Sequence, residues 1–340
     1  GIPCTSNRHL LTDVVRDKWG FEGFWVSDLG AVQGLMESHR VADTPAESSS
    51  LALNAGVDVD LGGMAFGSLS GAIEQGLVDT AGIDQAVQRV LEIKFAMGLF
   101  ENPYVDPEKA ADRVRSSNHI ELARKVAQES IVLLKNEGGF LPLKNDMEKI
   151  AVIGPNADNV YNQLGDYTAP QDDNNIVTVL EGIGRRIGRG TEITYVQGCA
   201  IRDTTETNIE EAVTAAENAE VAIVVLGGSS AGDFKTKYAD TGAAFVSDDK
   251  KETKLSDKEC GEGIDRSTLV VMGKQLDLLD KIIDTGTPVV VVLIEGRPLN
   301  LAGREEKVAA LMTAWYPGQE GGNAVADVLF GDYYPAGRLT

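Results

Sequence analysis

Cysteine is scarce in this chain: Cys4, Cys199 and Cys260 are all it has. Three cannot make a paired framework of disulfides, and their spacings match no zinc pattern. Positive charge is also in short supply, with 31 Lys and Arg against 52 Asp and Glu and a formal charge of −21. Nucleic acid and anionic membrane surfaces attract the opposite sign, so the balance argues against both as partners and fits a neutral one. No apolar run reaches the ~18 residues of a membrane span. No signal peptide is legible, but the opening "GIPCTSNRHLL" has no Met, which leaves the true N-terminus open. Compartment stays open with it, a periplasmic or secreted place being favoured over the cytoplasm. Metal-spaced His, Cys and Asp clusters are missing. "GGSSAG" (227–232) follows an apolar run but lacks the Lys-Ser/Thr ending of a phosphate loop.

What is present suffices for an ordinary core. The 340 residues are 43% hydrophobic and 24% charged, a globular composition. At roughly 150 residues per domain, that length suggests two domains.

The first hundred residues alternate. Residues 6–19 have helical spacing through Leu10, Leu11, Val14 and Val15, with Ser6 or Asn7 as cap, and Gly20 ends the pattern. A short strand is expected at 23–27 and another in "GVDVDL" (56–61), with helices at 46–55, 69–76 and 82–98. Such alternation points to βα units of a parallel sheet. Residues 103–118, charged and proline-bearing, read as a linker, and 119–136 as one long helix. The texture then changes. Val- and Ile-rich runs at 150–155, 192–198, 221–228, 288–294 and 308–318 alternate with amphipathic stretches such as 207–219 and 271–285. Strands this uniformly apolar are buried on both faces, as in a parallel sheet between helix layers. A polar insertion, 229–266, directly follows one of them. A loop this long inside a compact domain is usually functional or disordered.

Two carboxylates stand out by position. In "GFEGFWVSDLGAV" (20–32) the apolar run Phe24-Trp25-Val26 delivers Asp28 at its tip. In "ECGEGIDR" (259–266) Glu262 lies between Gly261 and Gly263. Asp at a strand end is also a common turn or N-cap residue, and a charged loop residue is often merely solvated. Tyr167, in "LGDYTAP", either reaches a cleft or covers a core edge; His39 either lines the pocket or, the favoured reading, caps a helix or sits on the surface.

"LLTDVVRDKWGFEGFWVSDLGA" closely resembles the nucleophile segment of glycoside hydrolase family 3, and "GEGIDR" resembles that family's acid/base loop. "AGVDVDL", "ARKVAQESIVLLKNEGGFLPL", "IAVIGPNAD" and "YPGQEGGNAVADVLFGDYYPAGRLT" are similar to further segments of it, in the same order. The resemblance implies an α/β chain: the C-terminal portion of a (β/α)8 barrel over 1–102, the linker 103–118, and a parallel-sheet α/β sandwich domain over 119–340. Asp28 would end the seventh barrel strand, so about six earlier strands are expected outside this chain, as a lost segment or a separate chain.

The activity implied is a retaining, exo-acting β-glycosidase, a β-glucosidase first and a β-xylosidase second, with a non-catalytic carbohydrate-binding fragment as the reading of another class. Retention needs two carboxyl groups about 5–5.5 Å apart. Asp28 is the expected nucleophile and Glu262 the expected acid/base, with Glu259 its nearest rival; Asp265 and Arg266 are expected to brace the loop by a salt bridge. Leu29 stands where many members carry Trp and xylosidase-type members carry Cys, which leans towards the glucosidase branch. Partners implied are a β-linked oligosaccharide or aryl glycoside and the N-terminal barrel segment, with a homodimer left open. No cofactor is implied.

Overall fold

The structure, a computed structural model, describes residues 1–62, 65–168, 172–187, 190–205, 207–230, 257–261 and 264–339. The chain divides into two compact units, Gly1–Ala110 and Ala111–Thr340.

In the first unit the expected helix at 6–19 forms over His9–Lys18, but with the wider π-type winding, and Asn7 Oδ1 accepts the Leu10 N–H (3.1 Å) as a cap. Helices α1 (Ala31–Glu37), α2 (Pro45–Ala55), α3 (Leu69–Glu74) and α4 (Thr80–Ala96) follow. Helix α2 starts where its sequence says it should: Thr44 Oγ1 accepts the Glu47 N–H and Pro45 takes the first turn, where its missing N–H costs nothing. Asp79 caps α4 in the same way through the Gly82 N–H. Leu11, Val32, Leu35, Ala52, Ala55 and Val57 form one buried cluster, with Trp25 packed against it.

The two expected strands of this unit shrink to one parallel bridge, Val26 to Val59. The cause is local. The Trp25 N–H, which a neighbouring strand would ordinarily receive, donates instead to the Asp58 side chain (Oδ2, 2.8 Å). The stretch expected as a linker contains a short helix, α5 (Pro107–Arg113), because Asp106 Oδ1 accepts the Glu108 N–H (3.1 Å) and Pro107 opens the turn.

The second unit is a six-stranded sheet. Helix α6 (Ser117–Ser130) stops six residues earlier than its periodicity predicts. The β-branched pair Ile131-Val132 leaves the helix, and Val132–Asn136 becomes β1, paired antiparallel with the last strand. Then come β2 (Lys149–Ile153), α7 (Val179–Ile187), β3 (Glu192–Val196), α8 (Ile209–Glu217), β4 (Val221–Gly227), α9 (Gln275–Asp284), β5 (Val289–Ile294), β6 (Ala310–Trp315) and α10 (Gly321–Leu329). The sheet order is β1-β6-β5-β4-β2-β3, parallel except for the edge strand β1.

The period of two sends alternate residues of β4 to opposite cores. Val221, Ile223 and Val225 join the side holding α7 and α10 residues such as Val179, Ile183 and Val325. Ala222, Val224 and Leu226 join the side holding Ala212, Leu278 and Ile282 of α8 and α9. Both faces are covered, as the uniformly apolar strands require.

Candidate active site

Asp28 is exposed, on a backbone fixed from both sides. On the near side, Ser27 is buried; its N–H donates to Val59 O (2.9 Å), and its hydroxyl donates to Asp28 O (2.9 Å) while accepting the Leu61 N–H (3.0 Å). On the far side Gly30 adopts φ +70°, a left-handed turn that favours glycine, and α1 begins, with the Ala31 N–H on Asp28 O (3.0 Å). The Asp28 carboxylate accepts the Leu29 N–H through Oδ1 (2.8 Å). Leu29 itself is 56% exposed.

The segment leading to this tip is held by two salt bridges to one carboxylate, whose arginine partners the sequence pattern does not announce. The Asp58 carboxylate, its side chain 1% exposed, takes Arg89 on Oδ1 (2.8 Å) and Arg16 on Oδ2 (3.1 Å). Arg16 also donates to Gly23 O (2.8 Å), so one charge cluster fixes the widened helix, the loop before Phe24 and the Val26–Val59 bridge. Burial, then repulsion from Arg89, lowers the Arg16 pKa against the pull of Asp58. Asp60, also buried, accepts the Ala65 and Phe66 N–H groups (3.0 and 3.1 Å). The signal was two carboxylates inside the apolar run "GVDVDL". Buried charges are expected only where they are paired or hydrogen-bonded. His39 lies exposed just beyond α1.

In the second unit, Glu262 lies outside the described residues, as does most of the insertion. Its C-terminal foot is described. Glu259 is 2% exposed and ion-paired to Arg266 Nη1, and its N–H donates to Ser229 O (2.9 Å). The expected brace therefore forms from Arg266 to Glu259; Asp265 is exposed. The buried Cys260 thiol lies 3.1 Å from Tyr316 Oη, and burial pushes its pKa up. Lys258 Nζ reaches Asp166 (3.5 Å). Tyr167, at φ +58°, is 79% exposed. Glu295, at the end of β5, is buried; desolvation raises its pKa against hydrogen bonds from Thr313 and from the Leu299 N–H (2.9 Å). Among the described residues no group of three or more His, Cys, Asp or Glu is placed to hold a metal, and no helix is long and apolar enough to cross a membrane.

The glycosyl hydrolase family 3 N terminal domain matches residues 1–93, and the glycosyl hydrolase family 3 C-terminal domain matches residues 131–340. The chain belongs to glycosyl hydrolase family 3. Among family 3 relatives it is 36% identical to a periplasmic β-glucosidase of Salmonella typhimurium, with all of this chain aligned to 44% of that protein. It is 35% identical to a β-xylosidase of Formosa agariphila, covering 45% of it. The chain thus spans less than half the length of these relatives. A β-glucosidase structure from Erythrobacter marinus superposes with a TM-score of 0.79 at 34% identity, over 97% of this chain and 44% of that one. A Listeria innocua β-glucosidase in complex with isofagomine gives 0.80 at 28% identity, over 97% of this chain and 42% of that one.

Proposed function

We propose that these residues belong to a retaining, exo-acting β-glycosidase, first of all a β-glucosidase, that removes terminal sugars from β-linked oligosaccharides or aryl glycosides. The observation that carries the proposal is an exposed carboxylate, Asp28, on a rigidly held turn, within the part of the chain matched by the family 3 N terminal domain. In this reading, residues 1–102 are the last βα units of a barrel, 103–118 the linker and 119–340 the sandwich domain. The remaining barrel strands come from an N-terminal segment, in the same polypeptide or a separate chain. The periplasmic name of the Salmonella relative favours an exported protein.

The chemistry follows from the reaction. Cleavage of a glycosidic bond passes through an oxocarbenium-like state, which needs a carboxylate at the anomeric carbon and a proton donor at the leaving oxygen. Asp28 attacks the anomeric carbon and forms a glycosyl ester. Glu262 protonates the departing oxygen and then takes a proton from the water that cleaves the ester. Glu259 is a poor rival for this role, because its carboxylate is buried against Arg266. A β-xylosidase is the second reading, favoured by the nearly equal identity to the Formosa enzyme.

Turnover of 4-nitrophenyl glucoside against 4-nitrophenyl xyloside, with the N-terminal barrel part restored, decides between the two. Failure to hydrolyse any glycoside under those conditions would favour a carbohydrate-binding fragment. In an active enzyme, Glu262→Ala is expected to lose about 100-fold or more on disaccharides, whose leaving groups need a proton, and far less on dinitrophenyl glycosides, whose leaving groups do not. Equal loss on both excludes Glu262 as the proton donor.

A further inference from the structure

We propose that the buried Glu259–Arg266 ion pair is a positioning device for the acid/base carboxylate, an inference that rests on the reading of Glu262 as proton donor. The two side chains are 1% and 5% exposed and close a contact across seven residues of sequence. Glu262 lies inside that span. Each end is fixed a second time. On the Glu259 side, the Glu259 and Cys260 N–H groups both donate to Ser229 O (2.9 and 3.4 Å), and the Cys260 thiol meets Tyr316 Oη (3.1 Å). On the Arg266 side, Nε donates to Thr268 O (2.7 Å) and Nη2 to Val270 O. The guanidinium therefore spends its fork on one carboxylate and two carbonyls, which sets its plane as well as its place.

Glu259 has no exposed oxygen with which to act on a substrate. One oxygen is on Arg266, and the other is buried with no hydrogen-bond partner among the described residues. That second oxygen packs on Gly228, where a Cβ would come within 1.9 Å of it. A buried ion pair adds little net stability over an apolar pair of similar size; what it can contribute is a defined geometry. In sequence the two paired residues bracket Glu262, which has glycine on both sides. Glycine has more backbone freedom to lose than any other residue, so a glycine-flanked sequence gains most from fixed ends. A general acid displaced by about 1 Å can lose 100-fold in rate.

The test is the ratio of kcat/KM on a disaccharide to that on a dinitrophenyl glycoside, measured with the N-terminal barrel part restored. Both substrates use one population of folded sites, so the ratio is insensitive to partial unfolding. Glu259→Gln and Arg266→Lys are expected to lower it by about 10-fold. The double variant Glu259→Leu/Arg266→Met, which removes both charges and strands neither, is expected to lower it by about 100-fold while staying folded. Glu262→Ala is the reference. If its own ratio does not fall, the acid/base reading fails and this inference with it. If its ratio falls while all three variants keep the wild-type ratio, the positioning role alone is overturned.

Discussion

At the scale of single residues, the chain places its carboxylates in two contrasting settings. Asp28 is solvated and held by backbone; Asp58, Glu259 and Glu295 are buried. Asp58 and Glu259 have arginine partners, whereas the Glu295 carboxylate is hydrogen-bonded, among the described residues, by Thr313 and the Leu299 N–H, with the Glu259 charge raising its pKa further. This has a consequence for stability. Above the usual carboxylate value of 4.5, Glu295 in the unfolded chain releases its proton while the buried group still holds it. The unfolded state gains from that release, so stability falls as pH rises from there through the raised folded value, and the penalty persists above it. Glu295→Gln keeps an acceptor for the Leu299 N–H and carries no such penalty. Denaturant titrations should find the variant more stable than the parent at pH 7 and the difference gone at pH 3.5. A difference independent of pH would mean that Glu295 titrates normally.

Among elements, the central strands β4 and β5 were legible because each is buried along its whole length and reads as a Val/Ile-rich run, whereas β3 (EITYV), at the sheet edge, is largely exposed rather than buried on both faces. Strand β1 was not legible, because "VLLKN" continues the apolar spacing of α6 and only its pairing with β6 makes it a strand. Helices α7 and α10 were missed for a different reason: their glycines, which disfavour helix in isolation, are required where the two cross. A Cβ on Gly182 would come within 2.0 Å of Gly322 O, and one on Gly322 within 1.8 Å of Thr178 O. The sequence records the cost of these glycines but not the contact that demands them. Gly182→Ala should therefore destabilise the second unit by at least about 1–3 kcal/mol, the range for overpacking, despite alanine's higher helix propensity. A midpoint of unfolding that rises instead would mean that the helices separate without cost.

For the molecule as a whole, the change of texture after residue 118 suggests a boundary there, whereas the structure divides the chain into two compact units inside α5, at Ala110. The candidate site residues stood out unevenly. Asp28 announced itself as a charge ending an apolar run, and Glu262 through its motif alone. The groups that hold the segment before Asp28 did not, since Arg16, Asp58 and Arg89 lie up to 73 residues apart in sequence and meet only in the fold. The formal charge of −21 argues against a polyanionic partner.

The central claim is that Asp28 forms the covalent bond to the sugar. It is tested most directly by Asp28→Ala with a β-configured aryl glycoside and added azide, the N-terminal barrel part being restored. The account predicts negligible turnover without azide, and recovery with it to give a glycosyl azide of the α configuration, since azide attacks once from the face the carboxylate has left. A variant that keeps its turnover without azide, or yields a β-glycosyl azide, would contradict it.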